Sequence, residues 1–393
     1  GGTTWTTATI TGSPATSFTQ GSLRLKPENP DIIYASTATK IYKSTDAGAT
    51  FTATGTGFPF AGSGRTILDV TAANAEVVYC LKSRADNTFQ GLYKSINGGT
   101  SYLNTGLTTA GIDVFDGGTQ AWYDLALCVS QTDENEVYTG LLNVWKSSDG
   151  GATATKLNSW SSWSPNFTHA DIHFLQYFGN KLYCGSDGGI YVSTDKGVTF
   201  NDIIGQAQIG QFYKISVSKQ SASKITGGLQ DNGGFIYNNN LWRSYHAGDG
   251  MDTAIDPSNS NKCYGFVYNG GTLFQSNDSG MSLSLAVSAP TGETGDWVTP
   301  LRANSVGEIF AGYGKLYKLT NGAWVAQNTL AFGTGNIQNI SVDPNNDNIM
   351  YVSKGGILYK STNRGVAFTQ AHVAPSSITS ISVNYSNSNI VYI

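Results

Sequence analysis

The chain has 393 residues, of which 13% are charged, 39% are hydrophobic and 47 are glycine. The low charge argues against a helical protein, because helix surfaces are normally built from charged residues, glutamine and alanine, and the apolar share is too high for a disordered chain. The net charge of −4 offers no basic surface to nucleic acid, and no apolar run approaches the ~18 residues that a membrane span needs.

One short motif recurs along the chain, with the pattern Ser-x-Asp/Asn-x-Gly-x-Thr/Ser followed by an aromatic or apolar residue. Its six copies, the last of which has Ala367 at the Thr/Ser position, cover residues 44–51, 95–102, 147–154, 193–200, 276–283 and 361–368. Serine and aspartate side chains in such a motif bind nearby backbone N–H groups, and its glycine tolerates a positive φ. We therefore expect Ser44, Asp46, Asp149 and Asp195 to stabilise hairpin turns rather than to act in catalysis or metal binding.

A second pattern precedes most copies: a turn rich in proline and asparagine, then a short strand that ends in tyrosine. Residues 29–34 and 344–351 are examples. The tyrosine-equivalent positions recur at intervals of 38 to 59 residues, most of them 41 to 46. A period of about 40–45 residues with several short strands is typical of β-propeller blades. The last full repeat predicts strands at 340–342, 349–353 and 357–360, and a fourth from about 368.

These repeats predict an all-β fold, a β-propeller of four-stranded blades. We expect residues 1–393 to form a single array of about eight blades; seven blades, or a part of a larger or tandem propeller, are the alternatives. We also expect the chain to be a piece of a longer protein. Cys80, Cys128, Cys184 and Cys263 are scattered without a Cys-x-x-Cys pair, so we expect them to be buried free thiols.

The repeat is least regular between about residues 122 and 252, where acidic residues concentrate in predicted loops. In a blade, the turn between the second and third strands and the segment that enters the first strand lie on the same face. The aspartates in such segments are Asp124, Asp171, Asp187, Asp231 and Asp249. Neighbouring carboxylates raise one another's pKa or recruit a cation, so we expect these five at one face. Ordinary turn chemistry is the alternative for each one alone.

His169, Asp171 and His173 alternate along the predicted entry to a first strand, which would place the three side chains on one side. Hydrogen-bonded residues that line the channel are the commoner role of such side chains. A metal site and a direct contact with substrate are the alternatives. Two imidazoles and a carboxylate suit a transition metal, whereas the aspartates and backbone oxygens suit calcium.

The recurring motif resembles the Asp-box, or BNR-repeat, family of β-propellers. The segments His-Ala-Asp-x-His at 169–173, Asp-Gly-Gly-Ile-Tyr at 187–191 and Gly-Gly-Leu-Gln-Asp-Asn-Gly at 227–233 are similar to large secreted propellers of the sortilin-like kind. Such proteins are often found in bacteria that use a type IX secretion route. The resemblance implies an extracellular or cell-surface protein.

The first hypothesis for the function is non-catalytic binding or adhesion, with a glycan or a protein as ligand. The ligand-binding candidates are Trp122, Asp124, Tyr213, Gln230 and Trp242, and Trp160 and Trp163 are further aromatic candidates. Aromatic faces suit sugar rings, and acidic groups lie beside them on the predicted face. Packing between blades is the alternative for each aromatic residue.

The second hypothesis is a glycoside hydrolase in which Asp187 acts with Asp231 or Asp249 as a carboxyl pair. Residues 187–191 are similar to the Asp-x-Gly-Gly-x-Tyr element of xyloglucanase-type propellers, but are one residue shorter. The arginine triad of sialidases is not apparent. The only cofactor that these residues suggest is calcium or a transition metal.

Overall fold

The computed structural model of the chain describes residues 3–12, 17–162, 164–205, 209–328 and 332–393. Over these residues the regular structure consists of β-strands and one three-residue 3-10 turn, Tyr268–Gly270. No helix in this described part is long and apolar enough to cross a membrane. The chain divides into two compact units, Gly1–Ala207 and Gln208–Ile393.

The first unit contains four sheets among its described residues. The first sheet comprises β1 (Thr9–Thr11), β2 (Arg24–Lys26), β3 (Asn29–Ser36), β4 (Ile41–Ser44) and β5 (Thr50–Thr54). The second comprises β6 (Ser63–Val70), β7 (Val78–Arg84), β8 (Phe89–Ser95) and β9 (Leu103–Asn104). The third comprises β10 (Ala126–Val129), β11 (Val137–Gly140), β12 (Val144–Ser147) and β13 (Thr155–Lys156). The fourth comprises β14 (Ile172–Phe178), β15 (Lys181–Ser186), β16 (Gly189–Ser193) and β17 (Asn201–Asp202).

The second unit contains four four-stranded sheets and a terminal pair among its described residues. The first comprises β18 (Phe212–Val217), β19 (Ile225–Leu229), β20 (Gly233–Asn238) and β21 (Leu241–His246). The second comprises β22 (Gly250–Asp256), β23 (Asn259–Val267), β24 (Thr272–Ser276) and β25 (Leu285–Ser288). The third comprises β26 (Leu301–Ala303), β27 (Ile309–Gly312), β28 (Leu316–Thr320) and β29 (Ala323–Ala326). The fourth comprises β30 (Asn339–Asp343), β31 (Asn346–Lys354), β32 (Ile357–Ser361) and β33 (Thr369–Val373), and the terminal pair is β34 (Ser382–Val383) with β35 (Val391–Tyr392).

The fold class predicted from the repeats is confirmed: the described residues form four-stranded antiparallel sheets of the β-propeller type. Seven sheets have four strands, and the sheet of β1–β5 adds one parallel strand to the same pattern. These eight sheets agree with the prediction of about eight blades. Strands β30–β33 coincide with the four strands expected in the last full repeat. The expectation of a single array over 1–393 within a longer protein stays a prediction.

Each recurring motif folds as a hairpin turn closed by its own side chains. In the copy at 193–200, the Ser193 hydroxyl accepts hydrogen bonds from the backbone N–H groups of Asp195, at 3.3 Å, and Gly197, at 2.8 Å. Asp195 accepts bonds from the backbone N–H of Thr199 at 2.9 Å and from its hydroxyl at 2.6 Å. Gly197 has a φ of +87°, a conformation that glycine adopts readily.

The core of each unit consists of apolar residues that pack one sheet against the next. In the first unit, Leu81 of β7 belongs to the same buried cluster as Leu127 of β10. In the second unit, Leu273 of β24 belongs to the same buried cluster as Leu301 of β26. All four cysteines are buried and unpaired, as expected.

Candidate functional site

In the first unit, three of the singled-out aspartates lie at one end of neighbouring strands. Asp124 precedes β10, and Asp171 immediately precedes β14. Asp187 lies in the two-residue turn between β15 and β16. Because the first residue of β14, Ile172, pairs with Ser186 at the end of β15, the segment before β14 and this turn lie together.

One glutamine side chain connects two of these carboxylates. The Gln120 Nε2 donates to Asp124 Oδ2 at 3.2 Å and also to Asp171 Oδ1. Asp124 is fully buried, and its Oδ1 has no hydrogen-bond partner among the described residues. Burial raises the pKa of Asp124 to about 7, and the nearby charge of Asp171 adds to the increase. Burial also raises the pKa of Asp171, against the hydrogen bond from Gln120.

Asp187 is held by two aromatic side chains. Its Oδ1 lies 2.8 Å from His173 Nε2, and its Oδ2 accepts a hydrogen bond from the Tyr123 hydroxyl at 2.7 Å. The Tyr123 and His173 rings meet edge to face at 4.7 Å. The hydrogen bond to Asp187 raises the pKa of His173 although burial opposes it. One carboxylate oxygen of Asp171 lies within 4.8 Å of one from Asp187.

The three predicted metal-ligating residues interact electrostatically, but their described hydrogen bonds go to different partners. His173 contacts Asp187, whereas Asp171 contacts Gln120. The His169 Nδ1 lies 3.1 Å from the carbonyl oxygen of its neighbour Ala170. Regular alternation does not run through all three, because β14 begins only after Asp171, whose φ is +62°. A metal site formed by His169, Asp171 and His173 stays a prediction.

The second unit contains a similar arrangement of an amide between two carboxylates. Asp231 lies in the turn between β19 and β20, and Asp249 precedes β22. The Gln230 Nε2 donates to Asp231 Oδ1 at 2.7 Å and to Asp249 Oδ1 at 2.8 Å. The backbone N–H of Asp231 also donates to Asp249 Oδ1, at 2.9 Å. The pair therefore forms one compact polar network.

An exposed aromatic pair lies next to this network. The Tyr213 hydroxyl donates to Gln230 Oε1 and accepts a hydrogen bond from Trp297 Nε1 at 3.0 Å. Trp297 stacks on Tyr268, with ring centroids 5.3 Å apart and planes inclined by 21°. Tyr268 and Trp297 remain 47% and 44% exposed. We call these two residues the aromatic platform.

Sequence reasoning missed the platform, because it searched only between about residues 122 and 252. A usable signal was present: Tyr268 follows β23, the second strand of its sheet, and Trp297 precedes β26, the first strand of the next. These are the same two kinds of loop in which the aspartates were found. Gln120 was also missed, because nothing near it in sequence indicates its contact with Asp171, 51 residues away.

The other predicted aromatic residues differ in their surroundings. Trp122 and Trp160 are 68% and 50% exposed, whereas Trp163 lies outside the described residues. Trp242 belongs to the outer strand β21 and packs against Phe212, with ring centroids 5.4 Å apart. The proposed catalytic aspartates divide between the units: Asp187 belongs to the first, and Asp231 and Asp249 belong to the second. Their joint action stays a prediction.

No protein-family model matches the sequence. No curated protein is similar to it in sequence either. Solved structures with a similar fold include a GH74 enzyme from Niastella koreensis, with 19% identity and a TM-score of 0.35 over 93% of this chain and 61% of that one. The GH74 xyloglucanase from Xanthomonas campestris has 15% identity and a TM-score of 0.36 over 94% of this chain and 70% of that one.

A further similar structure is PorZ, a surface component of the type-IX secretion system of Porphyromonas gingivalis. It has 11% identity and a TM-score of 0.44 over 93% of this chain and 60% of that one. The chain thus spans less than two thirds of the Niastella koreensis and Porphyromonas gingivalis proteins. These similarities concern the fold.

Proposed function

We propose that this chain is an extracellular or cell-surface β-propeller that binds glycans without hydrolysing them. The observation that carries the proposal is the aromatic platform, Tyr268 and Trp297, stacked and roughly half exposed beside a hydrogen-bonded polar network. Large aromatic side chains are normally buried for much of their surface. A stacked and exposed pair on loops is therefore typical of a binding surface.

The chemistry beside the platform suits a sugar. A pyranose ring has apolar C–H faces that can lie on an aromatic ring, and hydroxyl groups at its edge that need hydrogen-bond partners. Trp297 is linked through Tyr213 to Gln230, which in turn binds Asp231 and Asp249. Rigid aromatic faces with a few oriented polar groups are the usual composition of a small-molecule site.

The spacing within this network does not favour hydrolysis with inversion. Because one nitrogen of Gln230 binds Oδ1 of both Asp231 and Asp249, at 2.7 and 2.8 Å, those oxygens can be no more than about 5.5 Å apart. Inverting glycosidases keep their carboxyl groups about 6.5–9.5 Å apart to admit a water molecule. Retaining enzymes keep them about 5–5.5 Å apart, so this spacing argues against inversion alone. Both carboxylates are also tied to the same neutral amide, which fits a binding role.

A polysaccharide panel tests the proposal. Affinity gel electrophoresis with neutral polysaccharides such as xyloglucan, β-glucan and mannan measures binding, and release of reducing ends measures turnover. We expect at least one polysaccharide to be bound and none to be cleaved. Trp297→Ala should weaken binding at least tenfold, because aromatic anchors dominate such contacts.

Tyr385→Ala is the matched control, since Tyr385 is an aromatic residue of the same unit that is 78% exposed. It should bind as the unchanged protein does. Equal binding by Trp297→Ala and the unchanged protein would contradict the platform, and failure to bind any polysaccharide would contradict glycan recognition. Release of reducing ends that is lost in Asp187→Asn, Asp231→Asn or Asp249→Asn would establish the hydrolase hypothesis instead.

A further inference from the structure

Two aspartates of the first unit, Asp171 and Asp187, have a geometry that suits a divalent cation. Oxygens of Asp171 and Asp187 lie within 4.8 Å of one another. Calcium binds oxygen ligands at about 2.3–2.6 Å, so two ligands of the same ion can be separated by up to about 5 Å. The two carboxylates could therefore share an ion without a large rearrangement.

A second feature of the cluster is an unsatisfied buried oxygen. Asp124 is fully buried, and its Oδ1 has no hydrogen-bond partner among the described residues. Its other oxygen shares the Gln120 amide with Asp171. Burying a carboxylate oxygen without a hydrogen bond costs free energy, and a cation held by the neighbouring carboxylates would reduce that cost.

The cationic side chains around the cluster are few among the described residues. The Arg65 guanidinium interacts with the charge of Asp124 but donates its hydrogen bonds to the carbonyl oxygens of Ala121 and Tyr123. His173 interacts with all three aspartates, and its ring nitrogen contacts Asp187 directly. His169 also interacts with Asp171. Both histidines carry a positive charge only when protonated, whereas the hydrogen bonds of Arg65 go to backbone carbonyl oxygens.

We propose that the first unit binds one calcium ion through the carboxylates of Asp171 and Asp187, with Asp124 linked to Asp171 through the Gln120 amide. Calcium prefers oxygen ligands and accepts water in the remaining positions. Gln120, His173 and Tyr123 hold the two carboxylates in place, as outer groups around metal ligands commonly do. His173 is a positioning residue here, because its Nε2 already contacts Asp187. The argument for calcium does not rest on the proposed glycan binding.

Thermal unfolding of the full chain tests this site. After treatment with a chelator and its removal, millimolar CaCl₂ should raise the Tm, and calorimetry should give one calcium per chain. Asp171→Asn should weaken calcium binding at least tenfold and abolish the rise in Tm. Asparagine tolerates the φ of +62° at this position, so the variant should keep its fold. Asp187→Asn is the second variant, and circular dichroism checks that both retain their sheets.

Asp31→Asn is the matched control, because Asp31 is an exposed aspartate of the same unit and should leave the calcium effect unchanged. The proposal is wrong if calcium does not raise the Tm of the unchanged protein, or raises the Tm of Asp171→Asn and Asp187→Asn equally. It is also wrong if zinc but not calcium binds and His173→Gln abolishes that binding, because the histidine would then be a ligand.

Discussion

At the scale of single residues, the recurring motif shows how two side chains can close a hairpin. The Ser193 hydroxyl accepts hydrogen bonds from two backbone N–H groups. The Asp195 carboxylate accepts hydrogen bonds from the backbone N–H and the hydroxyl of Thr199. The turn thus satisfies backbone donors that no strand partner reaches, which is the same task that a helix cap performs. The expected structural role of the motif agrees with this arrangement.

Removing the buried hydroxyl should destabilise the hairpin. Ser193 is fully buried, and in Ser193→Ala the buried N–H of Gly197 loses its acceptor. We expect the free energy of unfolding to fall by about 1–2 kcal/mol, as for other buried donors left unpaired. Denaturant titration measures it, with the exposed neighbour substitution Thr194→Ala as control. An equal loss in the control would contradict the role assigned to the hydroxyl.

The Asp195 carboxylate of the same turn should make the stability of the protein depend on pH. Hydrogen bonds from the Thr199 hydroxyl and backbone and from Ser193 lower the pKa of Asp195 to about 2, from an ordinary 3.8. Because the pKa is lower in the folded state, ionised Asp195 stabilises the fold above about pH 4, and this contribution is lost as the pH falls toward 2. In Asp195→Asn, the Tm should therefore decrease less between pH 4 and pH 2 than in the unchanged protein.

Two other copies of the motif already have asparagine at the position of Asp195. Asn97 and Asn363 occupy the aspartate position in two other copies, and each still accepts the backbone N–H four residues later. The hairpin should therefore survive in Asp195→Asn. An identical loss of Tm with acid in both proteins would show that Asp195 does not contribute.

At the scale of strands and sheets, aspartates with little exposure connect neighbouring sheets within each unit. Asp69 of β6 accepts the backbone N–H of Val129, in β10, at 2.7 Å, and pairs with Arg24, in β2, at 2.7 Å. Asp252 of β22 similarly accepts the backbone N–H of Leu301 in β26. In each case a carboxylate on a first strand binds the first strand of the following sheet, where no ladder of backbone hydrogen bonds exists.

Removing one of these aspartates should lower the stability of its unit. Asp69→Ala leaves the Arg24 guanidinium and the Val129 N–H without their shared acceptor. We expect the free energy of unfolding of the first unit to fall by about 1–3 kcal/mol, as when a hydrogen-bonded partner is removed from a partly buried site. Denaturant titration measures this, and the exposed substitution Asp31→Ala should change stability little. A loss below about 1 kcal/mol would mean that the pair is effectively solvated.

The strands could be predicted from sequence because their signals are local and repeated. The turn motif, the proline and asparagine turn and the strand tyrosine all lie within one repeat, as in β30–β33. The partners of the site residues could not be predicted in this way. Gln120 contacts Asp171 across 51 residues, and Tyr213 contacts Trp297 across 84. Such pairs depend on how successive sheets pack, which no local pattern records.

At the scale of the whole molecule, the four cysteines lie in the cores of the two units, so their reactivity can be used to follow unfolding. Cys80, Cys128 and Cys184 belong to the first unit, in β7, β10 and β15, and Cys263 belongs to β23 of the second. All four are buried and unpaired. Burial raises the pKa of Cys80, Cys184 and Cys263 to about 12, so almost none of these thiols is ionised at neutral pH.

Thiol labelling with a chromogenic disulfide should therefore separate folded from unfolded chains. The thiolate is the reactive form, and it must be accessible, so we expect no fast-reacting thiol in the native protein and four in concentrated denaturant. If the two units unfold at different denaturant concentrations, three thiols should appear with the first unit and one with the second. Cys263→Ser should remove only the latter. A thiol of the native protein that reacts as fast as a free cysteine would contradict the burial of that strand, because such a reaction requires exposure without unfolding.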